Sequence, residues 1–382
     1  MPLRRIAFAL LLLFAFLTPF IAPAYIAAGL LLSVWTASVV REGRRPESLR
    51  SPIAFILLVL ALLTIASAVF SRDPAASARH LPGLSLFLLV PIAMDLCDTT
   101  ARARAVFLSL AASATLLALY GIWQFLHGGD DLQSRIRATL SHYMTFSGLE
   151  SLAGCLLLGF ALEARGRWRA LGFLCVLPLA AVLLTYTRGA YVGIVVALFL
   201  YAAVRRPRIL LWVAPLLVVV YLAAPAGIRD RIRSTTDLSD TTNRDRIAMA
   251  RAGGRMVLDF PVFGLGPEMV KRYYPLYRDP DAPRWSVPHL HDNVIQIAAA
   301  NGVFAAAAYL ALVALVLARA AALARRGDGP DRAPLWAGAL LAGVALTVAG
   351  FFEYNFGDTE VEMATLLVFA VPFSGAAKAG GD

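Results

Sequence analysis

The sequence predicts an all-α membrane protein that crosses the bilayer about twelve times and carries one large polar loop. Hydrophobic residues make up 59% of the 382 residues and charged residues only 16%, a composition typical of membrane proteins. Apolar runs such as residues 6–16 and 195–204 recur along the chain, whereas residues 228–288 are polar. These observations exclude a soluble globular fold.

Twelve apolar segments are long enough to be considered membrane-spanning helices. We expect them near residues 6–20, 24–40, 52–70, 84–97, 105–126, 143–162, 170–186, 190–204, 209–226, 303–323, 335–352 and 361–375. No convincing signal-peptidase site separates the first two, so we expect both to be retained as anchored helices. The predicted organisation is nine spans in residues 1–227, a loop of short helices in 228–302, and three spans with a cytoplasmic tail in 303–382.

The distribution of arginine predicts the orientation of these helices. If both termini are cytoplasmic, most loop arginines also fall on the cytoplasmic side, as the positive-inside rule requires. These residues are Arg41, Arg44, Arg45, Arg50, Arg165, Arg167, Arg169, Arg205, Arg206, Arg208, Arg325, Arg326 and Arg332. Topology therefore explains most of the net charge of +10, and we expect no nucleic-acid binding.

The external segment, residues 228–288, is an exception to that rule, because it has eleven Lys and Arg against eight Asp and Glu. Such a positive external segment suggests an anionic ligand. Thr242 or Asn243 can cap a first helix that runs to about residue 258, and Pro267 suits the start of a second at Glu268. We expect a third short helix over residues 294–300.

All the histidines fall on the predicted external side: His80, His127, His142, His289 and His291. His291 precedes or opens the third short helix, which Asp292 or Asn293 can cap. A helix N-terminus favours a neutral imidazole, and a neutral imidazole can take a proton from a hydroxyl. His291 is thus a candidate base, with ordinary hydrogen bonding as the alternative. His289 and His291 could also be zinc ligands, but no third ligand lies at motif spacing.

Arginines near the external boundary are candidates for binding an anion. Arg188 lies where two spans are tightly joined, and a charge there must be paired, reach the interface or meet a ligand. With Arg244, Arg246 and Arg251 it could form a guanidinium cluster for phosphate, since planar forks match phosphate oxygens. The alternative for those three is a solvated helix face, and for Arg188 it is snorkelling to the interface.

Three carboxylates are candidates for a supporting role. Glu150 and Glu353 lie in or near the external ends of apolar stretches, where a buried carboxylate more often pairs with a cation than acts as an acid. We expect them to pair with the arginines. Asp292 can either cap the third short helix or hold the imidazole of His291.

A series of motifs follows from about residue 135 to 370. It comprises residues 141–148 (SHYMTFSG), 187–190 (TRGA), 246–267, 289–293 (HLHDN) with Gln296 and Gly302, and 353–358 (EYNFGD). In order and spacing around one large external loop, these motifs resemble the O-antigen ligase superfamily. That superfamily also contains O-antigen polymerases and some protein O-oligosaccharyltransferases.

The resemblance implies transfer of an undecaprenyl-diphosphate-linked glycan to a sugar hydroxyl of lipid A-core, with inversion and without a metal or other cofactor. It implies a GT-C-like fold in the bacterial inner membrane, with the active site facing the periplasm. Arg188 and Arg246, with Arg244 or Arg251, would bind the diphosphate, and His291 would deprotonate or orient the acceptor hydroxyl. The sequence departs from the family in having Asp292, where Asn or Ser is common, and His289 could take the place of His291.

Two other functions stay open at this point. An O-antigen polymerase would use similar arginines; the single large external loop ending in the histidine block favours a ligase. A transporter of lipid-linked glycans would carry charges along several spans to the cytoplasmic side, whereas here the polar candidates gather at one face. The expected partners are the lipid-linked donor, lipid A-core and membrane lipids, and the sequence leaves the glycan, the acceptor sugar and the oligomeric state open.

Overall fold

The computed structural model describes residues 2–128 and 135–378, and all regular secondary structure in these ranges is helical. The helices are α1 (Pro2–Leu17), α2 (Ile21–Arg41), α3 (Pro52–Val69), α4 (Pro74–Ala78), α5 (Leu89–Leu96), α6 (Thr100–Gly128), α7 (Tyr143–Glu163), α8 (Gly166–Gly172), α9 (Val176–Leu184), α10 (Arg188–Arg205), α11 (Leu210–Ala223), α12 (Ala226–Arg233), α13 (Thr241–Asp259), α14 (Met269–Tyr277), α15 (Asn293–Asn301), α16 (Val303–Arg326), α17 (Ala333–Ala349), α18 (Thr359–Ala370) and α19 (Gly375–Lys378). Short 3₁₀ turns extend or connect several of them.

Nine helical segments within the described residues are long and apolar enough to cross a membrane. They are Ile21–Arg41, Pro52–Val69, Pro74–Leu96, Thr100–Gly128, Tyr143–Glu163, Gly166–Leu184, Arg188–Arg205, Val303–Arg326 and Thr359–Ala377. Two shorter apolar segments, Pro207–Ala223 and Ala333–Ala349, match two more predicted spans, and α1 matches the first. The predicted class, a polytopic all-α membrane protein, is confirmed.

Close packing of α17 against α7 forms the centre of the bundle. A Cβ atom added to Gly159 of α7 would lie 2.4 Å from the backbone nitrogen of Gly338 of α17. Only residues without a bulky side chain allow two membrane helices to approach so closely. α10 also packs against α17, so the ends of α7, α10 and α17 meet at one place.

The bundle has two polar ends. α7 begins after His142 at one end and finishes at Glu163 at the other, where the Glu163 carboxylate accepts hydrogen bonds from Arg206 at 2.9 Å and from Arg205 at 3.3 Å. These arginines belong to the set that the sequence assigns to cytoplasmic loops. The five histidines lie at the opposite end, which we call the histidine end.

The polar segment at the histidine end folds into α12 to α15. The N-cap of α13 is Asp240 rather than the predicted Thr242 or Asn243, because the Asp240 carboxylate accepts hydrogen bonds from both of their backbone N–H groups. Glu268 is the N-cap of α14 and not its first residue. α15 ends as predicted at Gly302, whose φ of +91° is one that glycine adopts without strain.

Candidate active site

His289 and His291 lie in the turn that leads into α15. Asp292 is the N-cap of this helix and accepts a hydrogen bond from the backbone N–H of Ile295 at 2.8 Å, so the first of its two predicted roles is the one observed. His291 has a φ of +53°, in the left-handed region that residues other than glycine rarely adopt. This turn brings the two imidazole rings to a centroid distance of 4.3 Å.

The Glu353 carboxylate faces both imidazoles. Its Oε2 lies 2.7 Å from Nδ1 of His291, and its Oε1 lies 3.5 Å from Nε2 of His289. Burial raises the pKa of Glu353, but the hydrogen bond from His291 and the nearby imidazoles outweigh burial, so the pKa lies below its usual value. Glu353 therefore pairs with the histidines and stays ionised at neutral pH; the expected hydrogen-bonded pairing with an arginine is not observed.

Asn293 holds the histidine turn and the Glu353 loop together. Its side-chain amide donates to Oδ1 of Asn355 at 2.8 Å and accepts from the backbone N–H of Phe356 at 3.1 Å. Its own backbone N–H donates to the carbonyl of Gly350 at 2.7 Å. Because Asn293 is 2% exposed, these bonds are shielded from water and fix the distance between His291 and Glu353.

The hydrogen bonds assign the tautomers of both histidines. Nδ1 of His289 accepts the backbone N–H of His291 at 3.3 Å, so a neutral His289 carries its proton on Nε2, towards Glu353. Nδ1 of His291 faces an ionised carboxylate, which only accepts hydrogen bonds, so this nitrogen carries the proton. The free lone pair of His291 is therefore on Nε2, the atom that can receive a proton from a substrate hydroxyl.

His289, His291 and Glu353 also form a possible metal-binding set, because their ligand atoms all lie within 4.8 Å of one another. A metal-bound imidazole usually donates its other ring N–H to an acceptor. Nδ1 of His289 instead accepts the backbone N–H of His291. If Nε2 of His289 bound a metal, Nδ1 would carry the ring proton, and this N–H would point at the backbone N–H of His291. The arrangement fits one imidazole that donates to the carboxylate, with a second imidazole facing it at 3.5 Å, better than it fits a metal ion.

Arg188 is the first residue of α10 and is buried, with 6% of its surface exposed. One terminal nitrogen donates to the carbonyl and hydroxyl oxygens of Ser234, at 2.7 and 3.0 Å. The other donates to Oδ1 of Asn243 at 2.7 Å and lies 3.3 Å from Asp240. Arg188 is thus paired within the protein and does not snorkel, and it connects α10 to the beginning of α13.

Arg246 lies on the face of α13 that points into the site. It is half-buried and lines a small cavity together with Thr187 of the α9–α10 junction and Glu353. Burial lowers the pKa of its guanidinium; the Glu353 carboxylate opposes this effect and the positive charge of Arg188 adds to it. Within the described part of the chain it makes no hydrogen bond or ion pair, so it can bind an anion without first breaking a protein contact.

Arg231 lies close to Arg188 and Arg246, and the sequence analysis did not select it as a candidate. It lies in α12, and its Nη1 is 3.7 Å from Oδ2 of Asp240. Burial, together with the positive charges of Arg188 and Arg135, lowers the pKa of Arg231 to about 10. A signal was present in the sequence, because Arg231 follows Ile228 by one helical turn and Ile228 is the buried residue of α12.

Arg135 was also missed. Its guanidinium lies 4.5 Å above the ring of Tyr143, the first residue of α7, and it raises the electrostatic potential at Arg231. Arg135 stands in a predicted loop between two spans, where the positive-inside rule gives no reason to select one arginine. Arg135, Arg188, Arg231 and Arg246 thus form a cationic cluster beside His291.

Arg244 and Arg251 lie on other faces of α13. Arg244 is exposed, and the Arg251 side chain is 67% exposed, with its Nη1 3.6 Å from Oδ2 of Asp279. At 100° per residue, Arg246 is about 200° from Arg244 and about 140° from Arg251 around the helix axis. The structure therefore brings Arg246, and neither of the other two, towards His291 and Glu353.

Glu150 is fully buried inside α7, and neither of its carboxyl oxygens has a hydrogen-bond partner in the described residues. The expected pairing of Glu150 with an arginine is therefore wrong. The reason lies in the helix geometry, because Glu150 is two turns inside α7 and the cationic cluster lies at the helix end. The structure places Glu150 beneath the site rather than in it.

Two cavities lie near the histidines. The first, of about 650 Å³, is lined by Arg135, His142 and Tyr143 and extends to Tyr120 and Trp123 on the exposed side of α6; we call it the cationic cavity, because its described lining contains two arginines and no carboxylate. The second, of about 400 Å³, we call the mixed cavity. Its lining includes Tyr25, Arg79, His80, Glu268, Tyr354 and Glu362. The ring of Tyr354 is 5.8 Å from that of His289, so the mixed cavity adjoins the histidine pair.

The fold and the site together define a polytopic membrane protein with a basic, histidine-containing site at one end of its helical bundle. The family model for O-Antigen ligase matches residues 173–310, a segment that contains Arg188, Arg246 and His291. The match confirms the resemblance to the O-antigen ligase superfamily and implies a glycosyltransferase-like membrane enzyme of lipopolysaccharide synthesis. No curated protein matches the chain significantly.

Replacement of Arg188 tests whether its contacts stabilise the fold. We expect Arg188→Ala to lower the free energy of unfolding by about 3 kcal/mol, because it removes a buried cation that pairs with Asp240 and takes away the donor to Oδ1 of Asn243. Thermal unfolding of the purified protein in detergent measures this loss. An Arg188→Ala protein as stable as the wild type would show that these contacts do not hold α10 and α13 together.

His289 makes stability depend on pH. Burial, partly opposed by the charge of Glu353, lowers the pKa of His289 from 6.5 to about 4. As pH falls below 6.5, the unfolded chain binds a proton at this position and the folded protein does not, so stability present above pH 6.5 is lost towards pH 4. We expect a loss of about 2 kcal/mol between pH 7 and pH 5. His289→Gln should show a smaller drop in melting temperature over that interval; an unchanged drop would contradict the assignment.

Proposed function

We propose that the protein is an O-antigen ligase, which transfers a glycan from undecaprenyl diphosphate to a sugar hydroxyl of lipid A-core. The observation that carries this proposal is the convergence of three groups: Nε2 of His291, the ionised Glu353 behind the ring, and the guanidinium of Arg246. Among the described residues, neither Nε2 nor that guanidinium has a hydrogen-bond or ion-pair partner. The family match over residues 173–310 supports the proposal. We place the histidine end on the periplasmic side of the bacterial inner membrane and both termini in the cytoplasm, in accord with the arginines at the opposite end.

On the acceptor side, Nε2 of His291 accepts a hydrogen bond from the sugar hydroxyl and takes its proton as the oxygen attacks the anomeric carbon. Glu353 stabilises the imidazolium that forms, and the His289 ring, 3.5 Å from the other carboxylate oxygen, packs against Glu353. The new bond joins the acceptor oxygen to the anomeric carbon. The bond from that carbon to the phosphate oxygen breaks, the electron pair leaves with the diphosphate, and His291 returns its proton to water.

On the donor side, Arg246 stabilises the charge that grows on the diphosphate as the glycosidic bond breaks. Arg231 and Arg135 add positive potential, and Arg188 positions α13 through its bond to Asn243. We assign the donor to the cationic cavity, because Tyr120 and Trp123 at its mouth have the amphipathic rings typical of a membrane interface. The mixed cavity, which adjoins His289 through Tyr354, is then left for the acceptor.

Glu353 is a positioning residue in this mechanism, and its replacement tests the assignment of tautomers. We expect Glu353→Gln to lower the rate of transfer by about 10²-fold or more, because an amide can donate to Nδ1 of His291 and shift the ring proton to Nε2. Glu353→Asp should retain part of the activity. The pH–rate profile separates this role from a merely structural one. In Glu353→Gln, the limb of the profile that reports on the base should shift along the pH axis. An unshifted limb would contradict the role of Glu353.

Expression in a bacterial strain without its own ligase distinguishes ligase from polymerase. A ligase restores polymer on lipid A-core, which electrophoresis of lipopolysaccharide shows as a ladder. A polymerase instead lengthens the glycan on its lipid carrier and leaves lipid A-core unmodified. That second outcome, or no new glycosidic bond at all, as for a transporter, would contradict the proposed function.

A further inference from the structure

The end of the bundle opposite the histidines contains a cavity that the proposed transfer does not use. Its volume is about 880 Å³, larger than either cavity beside the histidines. It is lined by five arginines, three carboxylates and several apolar or small residues: Arg4, Arg44, Arg45, Arg50, Arg319, Glu47, Asp95, Asp98, Pro46, Ser48, Ser51, Pro52, Met94, Phe373 and Gly375. We propose that this cavity binds the phosphate headgroup of an anionic glycerophospholipid.

Two of the arginines in the lining are already paired with aspartates. Asp95 is 3.0 Å from Nη1 of Arg44, and Asp98 is 3.1 Å from Nη2 of Arg4. These two aspartates therefore already neutralise two of the arginines. Asp95 also accepts a hydrogen bond from the indole N–H of Trp35 at 2.8 Å, so its oxygens are occupied.

Arg45 and Arg50 remain without a partner. Both are exposed, and neither makes an ion pair or hydrogen bond within the part of the chain that the structure describes. Each guanidinium presents a planar fork of donors, the geometry that matches two phosphate oxygens. Glu47 also lines the cavity, but the five arginines outnumber the three carboxylates, so the lining has a net positive charge.

Arg319 is a further arginine in the lining, and it lies inside a membrane-spanning helix. It stands seven residues before the end of α16 at Arg326, which puts it about 10 Å inside the membrane-spanning helix. Its Nε donates to the carbonyl of Pro372 at 3.2 Å, and this is its one hydrogen bond among the described residues. A charge at that depth is costly unless it meets a partner, water or a ligand, and a phosphate in the cavity would supply one.

The position of the cavity favours a lipid over a soluble anion. It lies beside the first residues of α1 and α3 and the last residues of α2 and α5, at the level of the lipid headgroups, and reaches inward to Arg319 of α16. Met94 and Phe373 give it an apolar wall suited to the glycerol and upper acyl region. Basic pockets between membrane helices on the arginine-rich side are typical sites for acidic headgroups.

Lipid retention tests the proposal on the full-length protein. We would reconstitute it with phosphatidylglycerol and phosphatidylcholine of identical acyl chains and measure by native mass spectrometry which lipid stays bound. We expect the wild type to retain phosphatidylglycerol preferentially. In the double variant Arg45→Gln/Arg50→Gln, this preference should fall roughly fivefold for each arginine removed. Arg50→Gln alone should give an intermediate value.

Arg165→Gln/Arg169→Gln is the matched control, because it removes the same charge from exposed positions at the same end that do not line the cavity. This control should retain the lipid as the wild type does. Equal retention of the two lipids by the wild type, or equal loss in both double variants, would overturn the proposal. Displacement of the lipid by millimolar glycerol 3-phosphate would assign the cavity to a soluble phosphate compound instead. None of these readouts depends on transferase activity.

Discussion

Replacement of His291 by alanine is expected to lower the rate of glycosyl transfer by about 10²- to 10⁴-fold. The substitution removes the only ring nitrogen in the histidine pair whose lone pair is free, because Nδ1 of His289 already accepts a backbone N–H. Protein insertion and expression should be unchanged, since Asp292 still caps α15 and Asn293 still connects it to the Glu353 loop. Lipopolysaccharide electrophoresis in a ligase-deficient strain, with membrane levels checked by immunoblot, measures the effect.

His289→Ala is the comparison for this substitution. It removes the imidazole that faces Glu353 at 3.5 Å and leaves the bond between Glu353 and His291 in place, so we expect a smaller loss than in His291→Ala. Full activity in His291→Ala would remove His291 from the mechanism. The reverse order of effects, with His289→Ala inactive and His291→Ala active, would transfer the role of base to His289.

Replacement of Arg246 by alanine is expected to lower the transfer rate by about 10²- to 10³-fold, the usual cost of removing one preorganised group that stabilises developing charge. Because Arg246 has no protein partner among the described residues, its loss should leave the melting temperature close to that of the wild type. This outcome differs from Arg188→Ala, which we expect to lose stability as well as activity. Activity and thermal unfolding measured on the same purified samples separate the two cases.

Arg244→Ala is the matched control, because it removes the same charge from the opposite face of α13. We expect it to retain nearly full activity. Arg246→Lys tests the shape of the group, since lysine keeps the charge and loses the planar fork; it should recover part of the activity. An equal loss in Arg244→Ala would mean that the general positive charge of α13, and not the placement of Arg246, supports the reaction.

Features that depend on local sequence were predictable. Apolar segment length located the helices of the bundle, and the cap at Asp292 and the glycine at position 302 located α15. The separation of Arg246 from Arg244 and Arg251 could also have been predicted, because positions two and five residues away on a helix point in different directions. The error there was to group the arginines by charge without applying the helical period.

Features that depend on distant packing were not predictable. The third member of the histidine site, Glu353, follows His291 by 62 residues and reaches it because α17 packs between α7 and α10. No spacing rule connects these positions. The burial of Arg188 depends on Asp240 and Asn243 of a separate helix, and a single sequence gives no means of distinguishing such a buried guanidinium from one that reaches the interface. The position of Arg135 beside Arg231 also depends on packing between separate helices, so the sequence could not predict it.

A reaction with purified components tests the proposed mechanism most directly. Wild-type protein, His291→Ala and Arg246→Ala would each be supplied with an undecaprenyl-diphosphate-linked glycan and lipid A-core, and both the glycosylated acceptor and the released undecaprenyl diphosphate would be quantified. We expect equal amounts of the two products with the wild type and at least about 10²-fold less of both with either variant. No acceptor product with the wild type, or wild-type rates with His291→Ala and Arg246→Ala, would contradict the proposed mechanism.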